Sequence, residues 1–591
     1  MIDWLHPSIL FIFGALLIPF LRGKLQKAWL ITIPVLSIVS VALMKEGVYW
    51  NCNFLGSQLI FGKVDKLSVI FAWVFTIASL IGFVYALHVD DSGQHVSACL
   101  YISGSLGVTF AGDFFSLFIF WELMAFASAY LIFARKEQKA IEAGYRYILV
   151  HIFGGVCLLG GIIIHVIKTG SCAFGPLPKD GSVSFYLILI GFILNAAVPP
   201  LHAWLTDAYP EGTVTGSVFM SAFTTKTAVY VLVRAFPGTE ILVWMGTIMA
   251  LYGVVYAVLE NDCRRLLAYH IISQVGYMVA GVGIGTDMSL NGSVSHAFAH
   301  ILYKGLLFMG AGAVIYMTGK RKLTELGGLY KTMPITLTLY MIGGFAISAF
   351  PLFSGFVTKS MVVAGASYDH RPTIALLLTL ASAGTFLHTG LKLPYYMFFG
   401  KDSGLKAAEP PRNMLIAMGM AASLCIGIGV FPGVLYKLLP YTVDFHPYTA
   451  DHVTSALGIL LFTGLGFFML LSKLDPEPTI SVDTDWVYRK GSRVFMWFAN
   501  KPLTIYENYL SNMYKDVISK YLIKLSNFLG YVFDSKIIDG IVNGIAKISM
   551  GFSQIVRKTQ TGLVRNYAFC MLLATVVVIG YYLLKIYSKI S

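Results

Sequence analysis

The chain has 591 residues, 57% of them hydrophobic and only 12% charged, with a net charge of +13. A soluble protein carries about 25% charged residues, so most of this chain is solvated by lipid. In such a chain the basic excess belongs to loops and a membrane-surface segment, not to nucleic-acid binding, and the seven cysteines show no CxxC or Cys/His spacing that would hold zinc, haem or an iron–sulfur cluster.

Taken in order, the apolar runs predict sixteen spans. They lie near 5–20, 27–46, 66–88, 96–112, 113–133, 143–168, 183–207, 213–236, 238–259, 263–285, 294–317, 333–362, 372–398, 412–436, 453–472 and 567–586. The first, LHPSILFIFGALLIPFL, lacks a basic leader and a small-residue cleavage site and is read as a retained span. Basic residues fall in the odd-numbered loops: Arg22, Lys24 and Lys27, then Arg135, Lys136 and Lys139, then Arg264 and Arg265, then Lys320, Arg321, Lys322 and Lys331. The positive-inside rule makes these loops cytoplasmic and both termini external, in a cell inner membrane. After Lys473 a polar stretch gives way to apolar residues at helical spacing from Ile518 to Ile555, with lysines and aspartates between. That predicts an amphipathic lateral helix, too polar to span, which Gly530, Gly540, Gly544 and Gly551 threaten to break.

Several charges lie inside the spans. Glu122 sits in the middle of FFSLFIFWELMAFASAYLIF, and Lys226 lies deep in SVFMSAFTTKTAVYVLVRAF. Ionisable groups at such depth are expensive and mark ion routes by default. His296, His300 and Lys304 follow one another at i, i+4 and i+8, on one helix face, a spacing suited to passing a proton between neighbours. Pro199-Pro200 interrupts the seventh span after Asn195, and Pro351 with Gly355 interrupts the twelfth just before Lys359. The thirteenth span carries His388 and Lys392, the latter either facing the route or snorkelling to the interface.

These features repeat. Asn195 precedes Lys226 by 31 residues and Lys359 precedes Lys392 by 33. Five spans separate the two sets, an odd number, so the repeats have inverted topology, as in ion-coupled transporters with broken helices. The expected fold is therefore an all-α polytopic membrane protein. It has an N-terminal three-helix segment (1–95), two inverted five-helix repeats (96–236 and 237–400), two further spans (401–475), the amphipathic segment (476–566) and a C-terminal anchor (567–591).

The strings WELMAFAS, VPPLHAWLTDAYPE, FTTKTAVYVLVR, NDCRRLLAYHIISQVGYM, HAFAHILYKGLLF and FPLFSGFVTKS resemble the antiporter-like subunits of Mrp-type cation/proton antiporters and respiratory complex I. PEGTVTGS and HTGLKLPYYMFFG look most like the D-type subunits of Mrp antiporters, while KIIDGIVNGIAKISMGFSQIVRKTQTGLVRNYAF looks like the end of the largest complex I antiporter-like subunit. The resemblance implies proton translocation within a multisubunit membrane complex, along Glu122, Lys226, His296, His300, Lys304 and Lys359, with sodium as a second candidate ion. One position departs: where the family carries a lysine in the broken seventh span, this chain has Asn195, which cannot neutralise Glu122. Either His151 or Arg146 in the sixth span takes over that pairing, or the input half works differently. No nucleotide, quinone or other cofactor motif is visible, so any redox chemistry would belong to partner subunits. The rival readings are a redox-driven pump, a proton-conducting partner of a carbon-uptake complex, and a structural scaffold on a degenerate antiporter fold.

Overall fold

The computed structural model describes residues 4–54, 56–477 and 483–590. Among them, twelve helices are long and apolar enough to cross a membrane, so the chain is a multi-pass membrane protein. Three further apolar helices, Pro7–Phe20, Val183–Asn195 and Pro334–Ile347, are shorter. The helix Ser92–Phe110 falls outside the twelve because serines, Gln94 and His95 dilute its apolarity. By this measure the count is twelve rather than sixteen, and the difference lies in segments that are short, polar or interrupted.

The all-α expectation also needs one correction. Gly47–Phe54 and Ser57–Val64 form a two-stranded antiparallel hairpin between the helices Gly23–Leu43 and Lys66–Ala86. It docks on the tight turn at Asp113: the Ile60 N–H donates to the Asp113 carboxylate at 2.6 Å, and the Gly112 N–H donates to the Ile60 carbonyl at 2.8 Å. The same carboxylate caps the helix Phe114–Phe133 by accepting from the N–H groups of Phe115 and Ser116.

Two interruptions fall where the prolines predict them. Val183–Asn195 ends before Pro199-Pro200, the chain passes through Ala197 at φ +58°, and a short helix resumes at Ala203–Ala208. Pro334–Ile347 ends before Pro351, the chain passes through Ala349 at φ +57° and Leu352 at φ +74°, and Ser354–Tyr368 follows. Two more irregularities were not legible in advance. The predicted eighth span divides at Phe223 into Val214–Ala222 and Thr224–Ala235. In the thirteenth, Pro372–Thr385 passes into a π-helical stretch, Phe386–Lys392, that carries both His388 and Lys392. Short π stretches within helices recur at functional sites.

Between these elements the helices Glu240–Leu259 and Cys263–Ile284 pack backbone against backbone. A Cβ at Gly246, Gly253, Gly276 or Gly283 would come within 2.2–2.5 Å of a main-chain nitrogen on the opposite helix. Small residues at such contacts let two membrane helices approach closely. At one end of the body, Glu211 accepts from Arg135 at 3.0 Å and from Arg321 at 2.9 Å, while Arg321 also pairs with Asp262 at 2.8 Å. Arg135, Asp262 and Arg321 come from three of the loops assigned to one side by their basic charge, and the ion pairs that join them through Glu211 place those loops on one face.

The chain divides into two compact units, Met1–Trp486 and Val487–Ser591. The helix that begins at Asp485 continues into the second unit and runs on through three π-helical stretches to Thr559, and none of the four glycines interrupts it. The turn comes only at Gln560, after which Val564–Ile590 forms the last apolar helix. The amphipathic helix is thus longer than the sequence predicts.

Replacing Gly276 with alanine forces a Cβ to 2.5 Å from the Ala250 nitrogen. Overpacking of this kind costs about 1–3 kcal/mol, so the detergent-solubilised protein should melt several degrees lower. Gly427→Ala, where nothing lies within 4 Å of the new methyl, should leave the transition unmoved.

Candidate functional site

The site begins at Glu122. Its side chain fits only because residue 155 of the neighbouring helix is glycine: a Cβ there would stand 2.1 Å from Glu122 Oε1. That oxygen is buried and has no hydrogen-bond partner. One turn away on the Gly155 helix, His151 stacks on Tyr147 at 4.0 Å and meets the edge of Trp204 at 4.6 Å. Its Nδ1 bonds the Tyr147 carbonyl and its Nε2 has no partner. Arg146 does not compensate for Asn195: its guanidinium forms a two-pronged pair with Asp207, at 2.6 and 3.1 Å, because Asp207 lies on the segment that resumes after the proline break. Asn195 is the last residue of its half-helix, buried, with its amide nitrogen unpartnered. Trp204, and not residue 195, closes that helix end, its indole N–H donating to the Leu194 carbonyl at 2.9 Å.

The centre is more basic. Lys226, His296, His300 and Lys304 are each fully buried. The break at Phe223 exposes the carbonyl of Ser221, and the Lys226 ammonium donates to it at 2.5 Å. From there Lys226 lies within coulombic reach of His296, His300 and Lys304. The rings of His296 and His300 are 6.2 Å apart, and both nitrogens of His300 are unpartnered. His296 has a partner in either protonation state: Gln274 Oε1, at 3.3 Å, accepts from a protonated ring, and the Tyr303 hydroxyl, also at 3.3 Å, donates to a neutral one.

Two arms leave this centre. One runs from His296 Nδ1 to the Thr358 hydroxyl at 3.2 Å, and the next residue is Lys359. Its ammonium donates to the Ile347 carbonyl at 2.9 Å, the last carbonyl of the preceding half-helix, and lies 5.3 Å from the Tyr277 ring centre. The other arm follows Lys304 to His270 Nδ1 at 3.3 Å, then to His388, whose ring is 4.8 Å from that of His270. One turn on, Lys392 is 3% exposed and donates inward to the carbonyls of Val258 and Glu260, so it does not snorkel. Glu260 closes this arm beside Arg265, 3.4 Å away, and burial pushes its carboxyl above the ordinary range.

His270, Gln274, Tyr277, Tyr303 and Thr358 belong to this network although the sequence does not single them out. His270 stands alone in LLAYHIISQ, and the signal that joins it to Lys304 is tertiary. Near the first break lies a second cluster missed in the sequence. The Asp483 carboxylate, fully buried, accepts from Tyr269 at 2.5 Å and from Tyr252, and lies 3.2 Å from His202 Nε2. Burial raises its pKa, but the hydrogen bonds from His202, Tyr252 and Tyr269 outweigh that and hold the carboxyl below its usual range.

Residues 111–385 match the family described as NADH:quinone oxidoreductase/Mrp antiporter, transmembrane. The sodium/proton antiporter subunit A1 of Staphylococcus aureus is 27% identical over 526 residues, which cover 78% of this chain and 64% of that subunit. The chain therefore spans less than two thirds of that relative. The antiporter likeness of the motifs holds, and the antiporter subunit named here is of the A type, so the narrower D-type likeness is not borne out. Among solved structures, a chain of the membrane-bound sulfane sulfur reductase, described as an archaeal respiratory membrane complex, shares the fold with a TM-score of 0.69 at 24% identity, over 97% of this chain and 99% of its own. A chain of the Mrp complex from Dietzia sp. does so with a TM-score of 0.66 at 20% identity, over 77% and 98%.

The Asp483 cluster makes a prediction about pH. A carboxyl whose pKa is lower in the folded state contributes stability above its unfolded value, near 3.9, and that contribution is lost as pH falls through the folded value. Asp483→Asn should therefore melt at a lower temperature than the parent at pH 7, by on the order of 1–3 kcal/mol. The gap should narrow on titration below about pH 4. An equal gap at both pH values would mean that the carboxylate's charge is irrelevant there.

Proposed function

We propose that this chain, whose residues 111–385 match the NADH:quinone oxidoreductase/Mrp antiporter membrane family, is the proton-translocating, antiporter-like subunit of a multisubunit membrane complex. The observation that carries the reading is the buried basic chain: Lys226, His300, His296 and Lys304, with Lys359, on helices that are interrupted or adjoin an interruption. A scaffold has no use for so many desolvated titratable groups, each expensive to bury.

In this mechanism protons enter from the cytoplasmic side past Glu122 and His151, reach Lys226, and pass through water to His300 and His296. Thr358 links His296 to Lys359, from which they leave outward. A proton on one group repels a proton on the next, so the groups titrate as a coupled set and a charge arriving at one end is felt along the line. Asn195 takes no proton, which leaves Glu122 and His151 to form the input. The arm through His270, His388 and Lys392 to Glu260 offers a second entry from the same face.

The first reading of the complex is a cation/proton antiporter with small membrane partners, which the Staphylococcus aureus relative supports by name. A redox-driven respiratory complex is the second. It is favoured by the likeness to the sulfane sulfur reductase chain, which extends over nearly all of this chain, the amphipathic helix included. Purification from native membranes decides between them: stoichiometric iron–sulfur subunits support the redox complex, and small hydrophobic partners alone support the antiporter.

Lys226→Ala and Lys359→Ala should each lower proton flux by the assembled complex at least tenfold, in the range of lost acid–base groups, while the subunit still copurifies with its partners. Flux unchanged in both variants would sink the transport reading and leave the scaffold.

A further inference from the structure

Lys359 borders an open cavity of about 600 Å³ lined by the helices Ser354–Tyr368, Pro372–Thr385 and Ala450–Met469 and by the loop that precedes the last of these. At about 30 Å³ per molecule this space holds on the order of twenty waters. The side chains on its wall grade in exposure. Lys359 is 2% exposed, His452 is half-buried, and Asp444 and His446, 3.7 Å apart, are open to solvent. The titratable groups facing His452 are these three together with Tyr368 and Tyr448, and Asp451 precedes it on its own helix.

His452 is held in a defined state. Its Nδ1 lies 2.7 Å from the Pro447 carbonyl. A carbonyl only accepts, so Nδ1 carries hydrogen, and in the neutral ring Nε2 keeps the lone pair. The ring lies almost parallel on Phe356, 4.5 Å away and tilted by 15°. Phe356 precedes Lys359 by one turn on the same helix, so the lysine and the stacked imidazole are presented from neighbouring positions.

We propose that His452 is the outward proton acceptor for Lys359. The Nζ–H bond of the ammonium breaks, the proton crosses cavity water to Nε2, and the positive charge moves from lysine to imidazolium. Nε2 then returns the proton to water at the Asp444–His446 end, and Nδ1–H stays on the Pro447 carbonyl throughout. This step rests on the reading of Lys359 as the outward station of the route.

The test is proton flux by the intact complex in membrane vesicles, measured against external pH for His452→Phe, His452→Ala and Lys359→Ala. Phenylalanine retains the stack on Phe356 without a titratable nitrogen, and so controls for packing. Both His452 variants should lose about tenfold or more and recover with imidazole in the external medium. Lys359→Ala should lose flux and not recover. Parental flux and pH profile in His452→Phe, with Lys359→Ala inactive, overturns the role of His452 while the Lys359 exit stands. Parental flux in Lys359→Ala overturns the exit itself, and the proposal with it.

Discussion

The structure depends on how a lysine ammonium is solvated where lipid, not water, surrounds the protein. The answer is the same at three positions. Lys226 donates to the Ser221 carbonyl, Lys359 to that of Ile347, and Lys392 to those of Val258 and Glu260. Each acceptor lies at the C-terminal end of a helix: Val214–Ala222, Pro334–Ile347 and Glu240–Leu259. The last carbonyls of a helix have no partner within it and carry the negative end of its dipole. Breaking a helix inside the membrane thus creates both a need, the unsatisfied carbonyl, and the group that can meet it. A neutral amine still carries N–H groups that can donate to the carbonyl, more weakly than an ammonium does, so the same anchor serves both protonation states of a lysine.

The first broken helix is the exception that clarifies the rule. Its end is closed by the Trp204 indole, a donor that never changes charge. Asn195 at that end is left with a buried, unpartnered amide nitrogen, and Glu122 with a buried, unpartnered oxygen. The first broken helix lacks a titratable cation at its end, whereas the second has Lys359 bonded there. The inverted likeness of the two halves, read from spacing, is therefore not a likeness of chemistry. The carboxylates follow the same division: Glu122 and Glu260 stand at the ends of the network, and its centre is built from lysines, histidines, hydroxyls and one amide.

What could be read in the sequence follows from cost. Glu122, Lys226 and Lys359 announce themselves because a charge in a long apolar run is improbable without a use, and His296, His300 and Lys304 because their spacing matches the helix. The prolines at 199, 200 and 351 mark two breaks for the reason that proline cannot donate. The break at Phe223 and the π turn at Phe386–Lys392 have no such local marker. Nor does the partnership of Arg146 with Asp207, which leaves Glu122 to other neighbours. Those features are settled by which helix faces which, and a single chain read in order does not contain that information in visible form.

The amphipathic segment shows the limit from the other side. From Ile518 to Ile555 ten steps of the apolar stripe span 37 residues, about 3.7 per step against 3.6 per α-helical turn. A stripe so spaced drifts around a straight α-helix and would leave its own face over this length. The widest step, Val532 to Ile537, falls inside the π-helical stretch Phe528–Ile538, whose wider turn takes up the extra residue. This π stretch thus takes up the extra residue of the stripe within a continuous helix. There the winding, and not a glycine, accommodates the spacing: where the sequence offered flexibility as the explanation, the geometry offers phase.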